Sequence, residues 1–179
     1  MNMLQPMTIA SLLVTGMGVA ILGSVKVPLA RRLKIDEARI GGLVSVFGFI
    51  MSPVIFAAGF LTDLVGKQSV LMAGSITMAI SLVLLAQSRH YWLGFLAVIL
   101  SSAGWSALVN VNNALIPVAF TGSMAYANNL ANVFFGMGAF LTPLGVALLL
   151  RRASFSTALS ILAALASVPA ALALVLCHS

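Results

Sequence analysis

Long apolar runs separated by short polar turns dominate this sequence. Each run accommodates a helix of about 20 residues, the length that crosses the roughly 30 Å hydrocarbon core of a bilayer. The predicted spans cover about residues 6–27, 40–61, 70–86, 93–120, 126–150 and 155–176. We therefore predict an all-α, polytopic membrane protein with about six transmembrane helices in a single domain over residues 1–179.

The composition supports a membrane protein and argues against other classes. The chain is 61% hydrophobic and 7% charged, with a mean hydropathy of +1.15, whereas soluble domains carry about 25% charged residues. The net charge of +6 comes from basic residues at span ends, where they meet lipid headgroups. Nucleic-acid binding would require a basic stripe interleaved with aromatic residues, so we predict the lipid bilayer and no nucleic acid as a partner.

Metal and disulfide chemistry have little basis in this sequence. Cys177 is the single cysteine, which excludes an internal disulfide, and His90 and His178 are too far apart in sequence to form a metal site. We therefore predict no metal and no cofactor. An intramembrane enzyme is also disfavoured, because no predicted span carries a His, Asp or Glu cluster or a serine nucleophile turn.

Prolines and glycines indicate how the spans end and pack. Pro28 is expected to end the first helix, leaving residues 29–39 as a solvated, partly helical connection. The third span, residues 70–86, has few features, and we expect it to face lipid. Small residues in the first span predict close packing against a neighbouring helix; they are Gly16, Gly18 and Gly23.

The turn between the second and third spans has a pattern with a mechanism. Gly59 allows two helices to approach closely, and Asp63 is expected to cap the helix that follows. Gly66 supplies the turn, and Lys67 answers the carboxylate or extends to the headgroups. We predict that these residues gate and pack the loop rather than contact a solute.

This stretch resembles the loop between the second and third helices of the major facilitator superfamily, whose pattern is Gly-x-Leu-Ala-Asp-Arg-x-Gly-Arg-Arg. The chain departs from the pattern at Leu64 and Gln68, where basic residues are usual. The matching residues are Gly59, Leu61, Asp63, Gly66 and Lys67. The resemblance implies the N-terminal six-helix half of a membrane transporter, in the plasma (inner) membrane, that moves a small polar solute.

Asparagines cluster at the end of the fourth span and the start of the fifth. An amide left against hydrocarbon is costly, because lipid offers it no hydrogen-bond partner. Helical periodicity places Asn110 and Asn113 on one face and points Asn112 away from it. Two interpretations remain open for the patch: hydrogen bonds between helices, at about 0.6–2 kcal/mol each, or a water-filled cavity for a polar solute. The fifth-span asparagines are Asn128, Asn129 and Asn132.

The same two spans resemble the fucose–proton symporter branch of that superfamily. Asn113, Asn129 and Asn132 fall on polar positions of the branch, and Gly138 and Pro143 match a later Gly and Pro. The resemblance favours the cavity and implies a sugar-like solute. The residues predicted to bind it are Asn110, Asn113, Asn129 and Asn132.

Two residues depart from that branch in a way that bears on mechanism. Val109 stands where the branch has Glu, and Ala127 stands where it has Arg. The acids Asp36, Glu37 and Asp63 all lie in predicted loops. The sequence therefore offers no membrane carboxylate for proton coupling.

The chain provides one half of the usual twelve-helix architecture, in which the solute site lies between two halves. Two alternatives follow for its partner: a second six-helix half, with this chain a fragment of a longer or divided protein, or a second copy in a C2 dimer. A further alternative is a non-transporting remnant or regulatory subunit that assembles with another membrane protein.

Membrane orientation is ambiguous at this stage. The resemblance places both termini and the Asp63 turn in the cytoplasm. The positive-inside rule gives the reverse orientation, with the first, third and fifth loops in the cytoplasm and the N-terminus outside. Nearly all lysines and arginines lie in these three loops.

Overall fold

The computed structural model describes residues 4–177, with side-chain surroundings as far as Val175. The predictions about His178 and about the location of both termini concern residues outside this part. The described chain forms helices α1 (Leu4–Leu33), α2 (Glu37–Val65), α3 (Lys67–Gln87), α4 (Tyr91–Ala119), α5 (Met124–Arg152) and α6 (Phe155–Cys177). Each is long and apolar enough to cross a bilayer, which confirms the predicted all-α fold with six membrane helices. Since the connecting turns are short, successive helices run antiparallel.

The helices differ in how much of their surface the bundle covers. α3 packs along both α4 and α6, α1 packs along α5, and α4 packs along α2. In the most apolar window of each helix, 61% of α1 and 50% of α3 and α4 are buried, against 17% of α2 and α5. The expectation that the third span simply faces lipid is therefore wrong, because one side of α3 contributes to the core.

Glycines allow the closest helix crossings. A Cβ on Gly104 of α4 would lie 2.7 Å from the Met78 backbone nitrogen and 2.9 Å from the Gly74 oxygen, both on α3. Gly16 of α1 and Gly138 of α5 meet backbone atoms of each other's helix in the same way. The prediction of close packing is confirmed for Gly16 and Gly18, but Gly23 has nothing within 4 Å of its Cβ position.

The predicted end of the first helix at Pro28 is wrong, since α1 continues to Leu33. Proline removes one backbone hydrogen bond, and here the lost bond falls near the helix end, where the chain continues through good helix formers. α1 ends at Leu33 because the next residue, Lys34, takes a left-handed φ of 54°. The Ile35 N–H donates to the Ala30 carbonyl at 3.1 Å, as in a Schellman motif. Residues 29–39 are thus mostly helical.

The two ends of the bundle differ in charge. Every lysine and arginine except Lys67 lies within about two helical turns of one end, which we call the basic end. Asp36 and Glu37 lie there too, whereas Lys67 and Asp63 balance each other at the opposite, neutral end. The basic end therefore carries the net charge of +6. Its turns are residues 34–36, 88–90 and 153–154, and those of the neutral end are residues 66 and 120–123.

Arg32 ties three helices together at the basic end. Its Nε donates to the Ser88 carbonyl at 2.9 Å, and its Nη2 donates to the Ala86 carbonyl and to Ser156 Oγ, each at 3.1 Å. The guanidinium also lies 5.3 Å from the centroid of the Phe155 ring. The planar fork of arginine suits such a multiple contact, so Arg32 secures the end of α1 against α3 and α6.

Candidate functional site

A cleft of about 160 Å³ opens between α1, α4 and α5 in the half of the bundle that contains the neutral end. Its polar side chains come from all three helices, and apolar groups such as Val109 and Ile116 complete the wall. The polar lining residues are Thr15, Asn112, Asn113 and Asn132.

Two of the predicted solute-binding residues, Asn113 and Asn132, come together in this cleft. Both side chains are exposed in the chain. At 1.5 Å per residue, Asn113 lies about 12 Å and Asn132 about 9 Å from the midpoint of its helix. Both positions fall inside the roughly 15 Å half-thickness of the hydrocarbon core, where lipid offers no partner to an amide.

Asn129, also predicted to bind solute, is exposed on α5 and is not among the cleft-lining residues. It lies about 13–14 Å from the midpoint of α5, close to the edge of the hydrocarbon core. Asn128 beside it is exposed as well. These two amides extend the polar surface from the cleft toward the neutral end.

Asn110 contacts α2 instead of the cleft. Its Nδ2 donates to the Ile55 carbonyl at 3.0 Å. Ser102 and Ser106, each one turn apart along the same face of α4, donate to the carbonyls of Phe47 at 2.7 Å and Met51 at 3.3 Å. The three donors and their acceptors repeat every four residues, and together they form a polar zipper between α4 and α2. Asn110 therefore joins two helices by a hydrogen bond, which is the first of the two interpretations given for the asparagines.

Asn112 is the buried asparagine of the group, with 3% of its surface exposed. Its Nδ2 donates to Thr15 Oγ1 at 2.9 Å, and the Thr15 hydroxyl donates to the Ser11 carbonyl at 2.7 Å. The Trp105 indole N–H donates to the Thr15 carbonyl at 2.8 Å. Asn112 Oδ1 is buried and has no hydrogen-bond partner among the described residues. A buried acceptor left unpaired costs about 1–3 kcal/mol.

The loop residues of the second turn occupy different positions from those expected. Asp63 lies in the last turn of α2 and is exposed, while α3 has Gly66 as its N-cap and no side-chain cap. The prediction that Asp63 caps the following helix is therefore wrong, because α2 continues past it to Val65. Gly66 takes a φ of 86°, which a glycine adopts freely.

Gly59 and Lys67 of this turn both face α4. A Cβ on Gly59 would lie 3.4 Å from Asn110 Nδ2, so the glycine leaves room for the zipper. Lys67 Nζ donates to the Ala114 carbonyl at 3.1 Å. The turn thus lies against the same part of α4 that lines the cleft on its other side.

Sequence reasoning missed the network of Asn112, Thr15 and Trp105. Periodicity was informative about which asparagines share a face of α4, but it does not show which neighbouring helix each face meets. The zipper did have a signal, since Ser102, Ser106 and Asn110 follow one another at intervals of four residues. That spacing marks one helix face carrying a row of donors.

The bundle of long apolar helices with a polar cleft defines a multi-pass integral membrane protein. The sequence matches the profile of the Major Facilitator Superfamily over residues 8–178, and the chain belongs to that family. The family predicted from the Gly59 turn is thereby confirmed, whereas the narrower resemblance to fucose–proton symporters stays a prediction.

The chain is also similar to a protein of Bacillus subtilis (strain 168) described as the uncharacterized MFS-type transporter YfkL. The two are 27% identical over 140 residues, which amount to 78% of this chain and 35% of the relative. The chain thus spans about a third of the length of this relative.

Proposed function

We propose that the chain forms one half of a transporter that carries a small polar solute across the plasma membrane. The solute contacts the cleft between α1, α4 and α5, and a second six-helix unit covers the open side. By its resemblance to the fucose–proton symporter branch, the solute is sugar-like. Family membership supports the transport role, and the asparagine pattern supports a solute rich in hydroxyl groups.

The observation that carries the proposal is the convergence of Asn112, Asn113 and Asn132 on one cleft. The exposed amides of Asn113 and Asn132 each offer both a donor and an acceptor, which matches the hydroxyl groups of a sugar. If these amides served only to join helices, we would expect them to be paired across the interface, as Asn110 is. Instead Asn113 and Asn132 are exposed, and Asn112 retains an unpaired oxygen.

The covering unit follows from the depth of the cleft. Asn113 and Asn132 face outward from this chain at a level where a bilayer contains no water. A second six-helix half, or a second copy of this chain, would enclose the cleft and let water and solute reach it. Rocking of one unit against the other would then expose the cleft to each side of the membrane in turn.

The proposal is tested by uptake of radiolabelled L-fucose, D-galactose and D-glucose into proteoliposomes that contain the purified chain. Asn113→Ala and Asn132→Ala should each lower uptake by about two- to tenfold, because each removes a hydrogen bond worth about 0.5–1.5 kcal/mol to the solute. The double substitution should abolish uptake.

Asn128→Ala is the matched control. Asn128 lies one turn from Asn132 on the same helix and is exposed, but it does not line the cleft. It should leave uptake unchanged. Retained uptake in the double variant would refute the assignment of the cleft. Folded protein without any uptake would refute a second copy of this chain as the covering unit, leaving a different six-helix half or the non-transporting subunit.

A further inference from the structure

A second cavity, separate from the cleft, lies at the basic end between the end of α1 and the start of α2. Its volume is about 390 Å³. The charged residues that line it are Lys26, Arg31, Lys34 and Glu37. Three cations and a single acid therefore surround one concave space, which gives it a net positive charge.

The cations of this cavity form no ion pair within the described part of the chain. The side chains of Lys26, Arg31 and Lys34 make no hydrogen bond or ion pair with any residue that the structure describes. Arg32, their neighbour on α1, shows the contrast, since its guanidinium is fully engaged with α3 and α6. The cavity is thus lined by the α1 cations that do not hold the helices together, Lys26, Arg31 and Lys34.

The depth of these residues matches that of lipid phosphates. Lys26 and Lys34 lie two turns apart on one face of α1, and Arg31 lies beside that face. Lys26 is about 11 Å from the midpoint of α1, within the hydrocarbon core, while Arg31 and Lys34 are about 19–23 Å from it, in the headgroup zone. The Lys26 side chain must therefore extend toward the headgroups, and its ammonium reaches the cavity from the side nearer the bilayer centre.

We propose that this cavity is a phosphate-binding site, which in a membrane takes the headgroup of an anionic phospholipid. The planar fork of Arg31 suits two phosphate oxygens, and the two lysines add point charges at either side. Glu37 opposes the ligand and sets a limit on its affinity. The site does not depend on the transport role, because it lies at the end of the bundle opposite the cleft.

The test is a lipid titration of the detergent-purified chain, followed by native mass spectrometry. The probes are phosphatidylglycerol, phosphatidylcholine as the zwitterionic comparison, and inorganic phosphate. The variant with Lys26, Arg31 and Lys34 all changed to Gln should bind phosphatidylglycerol roughly two orders of magnitude more weakly, at about fivefold for each cation. Glu37→Gln should bind it about fivefold more tightly.

A matched variant separates a defined site from general attraction to a basic surface. Changing Arg39, Arg151 and Arg152 to Gln removes the same charge from the same end but leaves the cavity intact. This variant should retain binding within about threefold. Equal loss in both triple variants, or no change with Glu37→Gln, would overturn the proposal.

The phosphate arm distinguishes the two sources of the ligand. Binding of phosphatidylglycerol that inorganic phosphate does not displace supports a lipid headgroup, and displacement by inorganic phosphate supports a free anion at the same site. Binding of phosphatidylcholine as tight as that of phosphatidylglycerol would overturn a site that selects negative charge. If the cavity triple variant does not fold, the Glu37→Gln result decides alone.

Discussion

The crossing of α3 and α4 should be sensitive to a single added methyl group. A Cβ on Gly104 would lie 2.7 Å from the Met78 backbone nitrogen, which is 0.7 Å short of the 3.4 Å at which ordinary contact begins. The Gly74 oxygen is at 2.9 Å from the same position. Both neighbours are backbone atoms, so neither can rotate away, and Gly104→Ala must move one helix relative to the other.

The size of the effect follows from that displacement. A gap of about 0.5–1 Å forfeits a quarter to a half of the dispersion energy of each atom pair that it separates. α3 and α4 pack along much of their length, so many pairs are affected. We expect Gly104→Ala to lower the free energy of unfolding by about 1–3 kcal/mol, even though alanine favours the helix by about 0.5–1 kcal/mol over glycine.

Reversible unfolding in mixed detergent micelles, followed by fluorescence of the buried Trp105, measures this free energy. Gly136→Ala is the control, because nothing lies within 4 Å of its Cβ position. It should leave stability unchanged or raise it by up to about 1 kcal/mol. The reasoning fails if Gly104→Ala is as stable as the unmodified chain, or if both variants lose stability equally.

Three further substitutions, with Arg31→Ala as a control, separate residues that join helices from residues that serve the cleft. Arg32→Ala should lower the free energy of unfolding by about 2 kcal/mol through loss of its charged hydrogen bonds, whereas Arg31→Ala should leave it unchanged; the same unfolding assay checks both. Asn110→Ala should cost about 0.6–1.7 kcal/mol and leave monosaccharide uptake intact, so a variant of full stability without uptake would contradict the zipper. Asn112→Leu removes an unpaired buried oxygen and should change stability by less than about 1 kcal/mol while lowering uptake; equal uptake with Asn112 and Leu would place this residue outside the solute path.

The number of helices and their membrane character could be predicted because hydrocarbon thickness sets a minimum length for an apolar run. Helix ends were less predictable. Pro28 removes a single backbone bond, and a helix with good formers beyond it tolerates that loss near its end. The prediction that Asp63 caps the next helix failed for a similar reason. Nothing between Asp63 and Gly66 interrupts the helix, so α2 continues through Asp63 to Val65.

Which helix side faces the core could not be predicted from polarity. The buried face of α3 includes Gly74, Ser75, Met78 and Ser81. Lipid is as apolar as a protein interior, so no contrast between apolar and polar residues marks the packed side of a membrane helix. Small residues were the usable signal, and they identified the crossings of Gly16 and Gly18.

The candidate site was only partly accessible to sequence reasoning. The asparagine clusters could be found because amides are expensive in hydrocarbon. Helical periodicity, however, fixes a direction relative to the helix and not the neighbour that lies there. Periodicity grouped Asn110 with Asn113 and set Asn112 apart. In the fold, however, Asn110 donates a hydrogen bond to α2, and Asn112 lines the cleft.

The amides, and not the apolar faces of α2 and α5, are the argument for a covering unit. In water, exposed residues such as Phe49 and Phe140 would themselves demand a partner. In a bilayer they do not, because lipid solvates them as well as protein does. Asn113 and Asn132 are different, since lipid at their depth cannot hydrogen-bond to them. Their exposure is reconcilable with a stable membrane protein when a second unit encloses water beside them, and that enclosed water is the route that a polar solute requires.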